Sequence, residues 1–344
     1  MRVLSLFDGM ACGMLAMLEA GVKVDRYVAY EYDESTANAS KGRPYGFAAF
    51  TASHNFPMIE QMGNVFNGDF TEFQGFDFLI GGSPCTYWSI AQKNNRETEA
   101  SGMGWELFSQ YVRALKEAKP MYFIYENNKS MSKAIRQSIT DAFGFEPICI
   151  NSSLVSAQNR QRLYWVGKRH ADGTYRKVEV EQPKDRGVLL KDILESSTNS
   201  MVAEPVNITP CGKSQTIKAQ YHKNSIANIC CYTSTYGASG VAELVKDAAI
   251  LKHNGELSTS AGGKVYTVYE IKGGKIAING KQYPIKLPDG FYIIRKLSVV
   301  ECMKLQTVPE WYEFPVSNNQ AYKMLGNGWT VSVISYLIKG ADTV

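Results

Sequence analysis

RVLSLFDGMACGMLAMLEAG, residues 2–21, passes from a β-like run (RVLSLF) through a glycine-bearing turn into a segment with apolar residues at helical spacing (GMLAMLEAG). A strand that feeds a helix through such a turn is the opening of an α/β unit. The pattern recurs along the first half. RYVAYEY (26–32), FDFLIGG (76–82) and MYFIYEN (121–127) read as strands, and WELFSQYVRALKEA (105–118) as a helix. CINSSLV (149–155) and RLYWVGKR (162–169) close this part as a β-pair. Strands alternating with helices predict a mostly parallel sheet covered on both faces.

The texture changes after about residue 170. EQPKDRG (181–187) marks a boundary, and VLLKDILESS (188–197) predicts one short helix. Residues 201–290 are rich in Gly, Ser, Thr, Asn and Tyr, with β-like pieces such as GGKVYTVYEIKGGKIAING. They hold ten lysines, no arginine and six acids, a net +4 that equals the formal charge of the whole chain. RKLSVVECMKLQ (295–306) and NQAYKMLGNGWTVSVISYLIKG (319–340) return to helical spacing. The 344 residues suffice for a large core and two domains. A 44% apolar and 20% charged composition is that of a folded chain.

The seven cysteines are scattered without a CxxC, and none of the four histidines stands at zinc spacing with a cysteine. Free thiols in a reducing compartment and no metal are the expectation. The apolar N-terminus is interrupted by Asp8 and Glu19, and no run approaches membrane-spanning length. The chain therefore reads as cytoplasmic.

LFDGMACG lets a backbone approach a ligand at a helix N-terminus, but it is not GxGxxG, which disfavours a dinucleotide. Glu31 follows about 20 residues later, where α/β cofactor folds place an acid on ribose hydroxyls. Tyr32 beside it is placed to lie on an adenine, and Asp69, in GNVFNGDF, to accept from an exocyclic amine. Taken singly, each acid reads as a solvated loop residue. In order at strand ends they suit an adenosine-containing cofactor without a phosphate cradle, as S-adenosylmethionine requires.

GGSPC places Cys85 just past a strand, at the carboxyl edge where open α/β sheets bind ligands. Glu126 ends another apolar strand and points to the same edge. Arg160 and Arg162, two apart in QNRQRLYWV, share a face in extended chain. The plain alternatives are a buried structural cysteine, a salt-bridged glutamate and, for Arg160 especially, surface charge. Together, a nucleophilic thiol, a proton-donating carboxyl and an arginine for a carbonyl oxygen suit an electron-poor ring such as cytosine. Its C5 displaces a methyl group only after attack at C6 and protonation at N3.

LFDGMACG, YEYD, GDF, GGSPC, YENN, QNRQRLYWVG, RKLSVVECMKLQ and QAYKMLGNGWTVSVISYL match in turn, and in unpermuted order, the motifs of cytosine-5 DNA methyltransferases. The chain resembles this family, of prokaryotic or phage type, over essentially its whole length. FDG, SPC and the Trp of GNGW are similar to the de novo methyltransferase subgroup. The resemblance implies an α/β fold: a Rossmann-like mixed sheet as in S-adenosylmethionine-dependent methyltransferases, with a smaller β-rich target-recognition domain. It implies a catalytic and cofactor domain at 1–185, target recognition at 186–315, and a C-terminal helix, 316–344, returning to the catalytic domain.

The resemblance also implies roles. Cys85 attacks C6, Glu126 bonds N3 and the exocyclic amine, Arg162 holds O2, and Arg160 orders the site. Phe7, Asp8, Gly9, Met10, Ala11, Cys12, Glu31, Tyr32, Asp69, Phe70, Pro84, Asn327, Gly328 and Trp329 line the cofactor pocket. The implied partner is double-stranded DNA, from which the target base is flipped; a monomer is expected, and a cognate restriction endonuclease stays open. Residues 86–104, TYWSIAQKNNRETEASGMG, read as a mobile segment that closes over DNA. Asn128 stands where the family usually has valine, and Thr86 and Tyr87 replace the commoner Gln-Gly or Gln-Ala. A tRNA-methylating relative and a non-catalytic DNA-binding relative are the competing readings. The long insert speaks against the first, and retention of Cys85, Glu126, Glu31 and Asp69 against the second.

Overall fold

The structure, a computed structural model, describes residues 1–90, 96–195, 206–207, 212–223, 240–245, 250–253, 256–261 and 264–342. Strands β1 (Arg2–Leu6), β2 (Arg26–Tyr30), β3 (Glu60–Gln61), β4 (Phe78–Gly81) and β5 (Tyr122–Asn128) run parallel. Strands β6 (Ile148–Asn151), β7 (Gln161–Arg169) and β8 (Tyr175–Lys177) complete the sheet through antiparallel pairs. The order is β3-β2-β1-β4-β5-β7-β6, with β8 beside β7. Because β7 runs against β5, its start lies at the same edge as the ends of β1, β2, β4 and β5.

The central strands are apolar nearly throughout because both faces are covered. Val3, Ile80 and Ile124 face α1 (Cys12–Ala20) and α7 (Val331–Asp342), through Met14, Leu15, Ile334, Leu337 and Ile338. Leu4, Leu6, Leu79, Phe123 and Tyr125 face α3 (Gly102–Ala118) and α4 (Lys133–Phe143), through Phe108, Tyr111, Ile135 and Ile139. Each such fully buried side chain contributes about 1.5–3 kcal/mol. The buried Tyr111 hydroxyl donates toward Leu79 O (3.2 Å) and Ile124 O (2.9 Å), so it carries no unmet polar group into the core. Helix α2 (Phe47–Asn55) lies between β2 and β3 in the chain.

A second, antiparallel sheet contains β9 (Val206–Asn207), β10 (Gly240–Leu244), β11 (Leu251–His253), β12 (Glu256–Ala261), β13 (Lys264–Lys272), β14 (Lys275–Ile278), β15 (Lys281–Pro284) and β16 (Gly290–Lys296). It is joined to α5 (Val299–Leu305) by a buried charge network. Arg295 Nε lies 2.7 Å from Glu243, and its Nη1 and Nη2 lie 2.8 and 2.9 Å from the fully buried Glu301. Glu301 also caps α5 by accepting from Ser298 N, while Ser298 Oγ accepts from Glu301 N. Helix α6 (Asn318–Asn327) and α7 then finish the chain.

The helix expected over 188–197 is one turn of 3-10 helix, Leu190–Asp192, with 196–200 outside the described residues. Its backbone is engaged elsewhere. Val188 O accepts from Lys213 Nζ (2.5 Å) and Leu190 N donates to Gly212 O (2.7 Å). Those tertiary bonds compete with the helical ladder and win. Among the described residues, no helix is long and apolar enough to cross a membrane, and no group of three or more His, Cys, Asp or Glu could hold a metal ion.

Candidate active site

Between β1 and α1 the chain turns through three positive φ angles, at Phe7 (59°), Gly9 (61°) and Ala11 (61°). Two of these are not glycine, so the loop is held against its intrinsic preference. Asp8 N donates to Tyr30 O (3.2 Å), Gly9 N to Glu31 Oε2 (2.9 Å), and the Tyr312 hydroxyl to Met10 O (2.7 Å). Asp8 Oδ1 accepts from Ser5 Oγ and Tyr27 Oη, whereas its buried Oδ2 has no partner. Burial raises the Asp8 carboxyl to about 6 and the Glu31 carboxyl to about 7, and the charge of Asp8 adds to the rise at Glu31. Two acids held partly neutral, one with an unmet oxygen, suit a small cationic ligand.

The other proposed pocket residues fall into distinct environments. Tyr32, Pro84 and Asn327 are exposed; Gly328 and Trp329 are partly buried. Asp69 is exposed, and its Oδ1 caps a 3-10 turn by accepting from Thr71 N and Oγ1. The Phe70 ring is fully buried, edge-on to Tyr30 at 5.2 Å, and its backbone N–H donates to Glu117 Oε2 (3.3 Å). Met10 and Cys12 are buried; burial pushes the Cys12 thiol up to about 12, and the Trp329 N–H donates toward its sulfur.

Cys85 opens a 3-10 turn (Cys85–Tyr87) just after β4. The loop before it is fastened to β5: Asn127 Nδ2 donates to Ser83 O (3.1 Å), and Ser83 Oγ meets Tyr125 Oη (2.7 Å). Glu126 is 12% exposed. Its Oε1 lies 3.0 Å from Arg162 Nε, and its Oε2 accepts from Trp329 Nε1 at 3.1 Å. The residue just after β4 is glycine for a reason. A Cβ on Gly82 would sit 2.7 Å from Glu126 O and 2.9 Å from its Oε2.

Arg160 is buried, not a surface charge. Its guanidinium donates to Ile217 O (3.1 Å), Gly326 O (3.2 Å) and Gly328 O (2.8 Å). Burial first, then the charge of Arg162, lowers its pKa to about 10. A cavity of about 840 Å³ opens beside these groups, lined by Cys85, Asn128, Arg162, Ile217, Lys218 and Asn327 among others.

Several contributors had no assigned role in the sequence reading. Asn127 braces the cysteine loop, and its place in the YENN motif was the available signal. Residues 216–220 bring a wall of the cavity from far along the chain, so close that a Cβ on Gly326 would fall 2.3 Å from Ala219 N. Asn128 spends its amide on the protein: Nδ2 donates to Asn127 Oδ1 (3.2 Å) and Oδ1 accepts from Ser130 Oγ (2.7 Å).

The segment 86–104 is more fastened than expected. Trp88 is fully buried and donates to Glu97 Oε2 (3.0 Å); Gly104 N donates to Glu97 Oε1 (3.2 Å). Arg96 reaches Trp88 O (3.1 Å) and Ser130 O (2.7 Å). Residues 91–95, including Lys93, lie outside the described residues.

The chain is similar to known methyltransferases over nearly its whole length. The orphan methyltransferase M.SPRI of Bacillus phage SPR is 24% identical, over 98% of this chain and 97% of its own. The type II methyltransferase M.FnuDI of Fusobacterium nucleatum is 25% identical, over 98% and 93%. In fold, the chain resembles the Entamoeba histolytica methyltransferase EhMeth with a TM-score of 0.62 at 13% identity, covering 99% of this chain and 98% of that one. The model of the C-5 cytosine-specific DNA methylase family matches residues 1–341, and the chain belongs to that family.

Proposed function

We propose that Cys85, Glu126 and Arg162 carry the methylation of cytosine C5 in DNA, and that Arg160 holds the site in shape. The target base leaves the duplex stack, at a cost of a few kcal/mol, and enters the cavity beside Cys85. The Cys85 sulfur bonds to C6, and its electron pair passes through the ring toward C5. Glu126 gives a proton to N3 and accepts from the exocyclic amine, while Arg162 holds O2. S-adenosylmethionine, when bound, supplies a methyl group on a positive sulfur. Loss of the C5 proton, return of the N3 proton to Glu126 and expulsion of the thiolate then restore the ring.

The cofactor reading is supported by the buried, partnerless Asp8 oxygen and by the raised Asp8 and Glu31 carboxyls. The first fits a ligand bearing a sulfonium and an ammonium, and Glu31 beside it is placed for ribose hydroxyls. Phe7, Gly9, Met10, Ala11, Cys12, Tyr32, Asp69, Phe70, Pro84, Asn327, Gly328 and Trp329 complete the pocket in this reading. The second sheet, within 186–315, reads the target sequence, with lysines on phosphates and other side chains on base edges; 1–185 and 316–344 form the catalytic unit. The enzyme acts as a cytoplasmic monomer. A relative termed orphan and another termed type II leave a partner endonuclease open.

One observation carries the mechanism: a carboxylate gripped on both oxygens, whose arginine partner lines the same cavity as the thiol. A duplex oligonucleotide containing 5-fluorocytosine at the target position tests it. In the presence of cofactor the wild-type protein becomes covalently cross-linked, because C5 cannot lose fluorine as it loses a proton, and Cys85→Ala does not. A wild-type protein that never cross-links overturns the mechanism. Tritium from labelled cofactor should be transferred to duplex DNA and not to tRNA; transfer to tRNA alone would overturn the DNA reading.

A further inference from the structure

The Glu126 carboxylate receives hydrogen bonds from two directions. Arg162 approaches one oxygen from the neighbouring strand, and the Trp329 indole approaches the other from the loop between α6 and α7. That loop is held rigidly. Gly328 O accepts from Arg160 Nη2 (2.8 Å) and Gln306 Nε2 (3.3 Å). Thr330 Oγ1 donates to Gln306 Oε1 (2.9 Å) and meets Ser152 Oγ (2.8 Å). The Trp329 backbone N–H donates toward Cys12, at the start of α1, and Gly328 packs so closely there that a Cβ would lie 3.1 Å from the sulfur. One residue thus touches the proposed cofactor loop with its backbone and the proposed catalytic carboxylate with its side chain.

We infer that Trp329 is a positioning residue that sets the orientation of the Glu126 carboxylate from the cofactor side. The inference rests on Glu126 being the group that meets N3. A carboxylate free to rotate about its last bond presents either oxygen, or neither, to the ring. With Arg162 and Trp329 each committed to one oxygen, the plane is fixed before the base arrives, and alignment needs no further ordering. Gly82 leaves the room in which this grip forms.

Trp329→Phe keeps an aromatic ring and removes the donor. The most direct readout needs no methyl donor: release of tritium from C5-tritiated cytosine in duplex DNA. Cys85 adds to C6 as N3 gains a proton, C5 takes a proton from water and loses its tritium to water, and N3 gives back its proton as the thiolate leaves. The variant should slow this exchange by between about 10- and 100-fold, the loss expected for a hydrogen bond to a charged group. Its KM for DNA should stay within about threefold, and its affinity for S-adenosylhomocysteine should fall by a smaller factor than the exchange rate, because the ring that walls the pocket is kept. Unchanged exchange overturns the inference. So does a loss of cofactor affinity by the same factor with full turnover at saturating cofactor, since Trp329 would then be a pocket wall only.

Glu126→Gln separates the two layers of the argument. In that background Trp329→Phe should slow exchange no further, because contacting residues acting as a unit are not additive; full additivity overturns the inference. Wild-type exchange in Glu126→Gln alone would instead overturn the role of Glu126. Should Trp329→Phe fail to fold, the indole N–H spectra of wild-type and Glu126→Gln proteins, nitrogen-15 labelled at tryptophan, decide. At least one of the five tryptophan signals must move between the two, and a coincident set rejects the contact.

Discussion

The two sheets of this protein bury their side chains differently. In the first, β1, β4 and β5 are buried on both faces, and the polar side chains that matter leave from strand ends, where neighbouring strands and helices hold them. In the second, β14 alternates exposed and buried residues. Large apolar side chains such as Val265 (75% exposed) and Leu251 (58%) face outward, and Lys272, Lys275, Lys281 and Lys286 are exposed. Bond making needs groups fixed to fractions of an ångström, whereas contact with a long polyanion needs an accessible surface. Substitutions in the first sheet should therefore abolish chemistry or the fold, and those in the second should grade binding.

The largest effects belong to the reacting groups. Cys85→Ala should lower methyl transfer by at least about 10⁴-fold, since no other group in this mechanism can attack C6. Duplex affinity, measured by fluorescence anisotropy, should stay within about threefold. Glu126→Gln should cost about 10²- to 10⁴-fold, the usual weight of a positioned general acid. A Cys85→Ala enzyme that still methylates would erase the distinction between the sheets.

Next comes acidity. In the proposed reading the Asp8 carboxyl, raised to about 6, favours the positive cofactor, and the Glu31 carboxyl, raised to about 7, accepts from its ribose hydroxyls, and both act as carboxylates. S-adenosylmethionine affinity should therefore fall on the order of 10- to 100-fold between pH 8 and pH 5.5. S-adenosylhomocysteine, without the sulfonium charge, should fall less. The sign for folding is the reverse. Raised carboxyl pKa values contribute stability that is present below the unfolded values, near 4. That stability is lost as pH rises through about 6 to 7 in the ligand-free protein. Glu31→Gln should accordingly raise the ligand-free Tm at pH 8 while weakening cofactor binding, measured by calorimetry. A flat affinity profile would show that these acids do not face the cofactor.

Third is the contrast between the two arginines. Arg160→Met strips three backbone carbonyls of a buried donor and should destabilise the fold by about 3 kcal/mol. That corresponds to a Tm lower by about 5 °C. Arg162→Met removes a partner of Glu126 at the cavity and should depress turnover with a smaller change in Tm.

What the sequence made legible follows the same division. RVLSLF, FDFLIGG and MYFIYEN announce buried parallel strands because both faces must be apolar, and their polar ends mark the edge where Glu31, Cys85 and Glu126 stand. Local pattern decides there. It failed at VLLKDILESS, whose backbone groups are claimed by Gly212 and Lys213, partners that no local pattern specifies. Spacing alone made Arg160 and Arg162 alike, and only the family resemblance gave them different roles. Their separation into a buried brace and a cavity wall depends on carbonyls at 217, 326 and 328. The reach of Trp329 to Glu126 spans 203 positions and needs the whole C-terminal return to be seen.

The smallest effects are expected on the second sheet, and they sharpen the comparison most. If its exposed lysines meet phosphates, each releases about one counterion on binding, so duplex affinity falls with salt more steeply for every lysine engaged. Lys275→Gln, Lys281→Gln or Lys286→Gln should each flatten the slope of log K against log salt by about 1. Affinity itself should drop by less than about tenfold, and equally for target and unrelated duplexes. Single-turnover methyl transfer at saturating DNA should not change, because none of these side chains lines the cavity beside Cys85. Replacing 186–294 by the matching part of a relative should do the converse, moving the methylated sequence while the chemical step keeps its rate. If instead the lysine variants slow that step, or the exchange leaves the methylated site unchanged, reading and chemistry are not divided between the sheets.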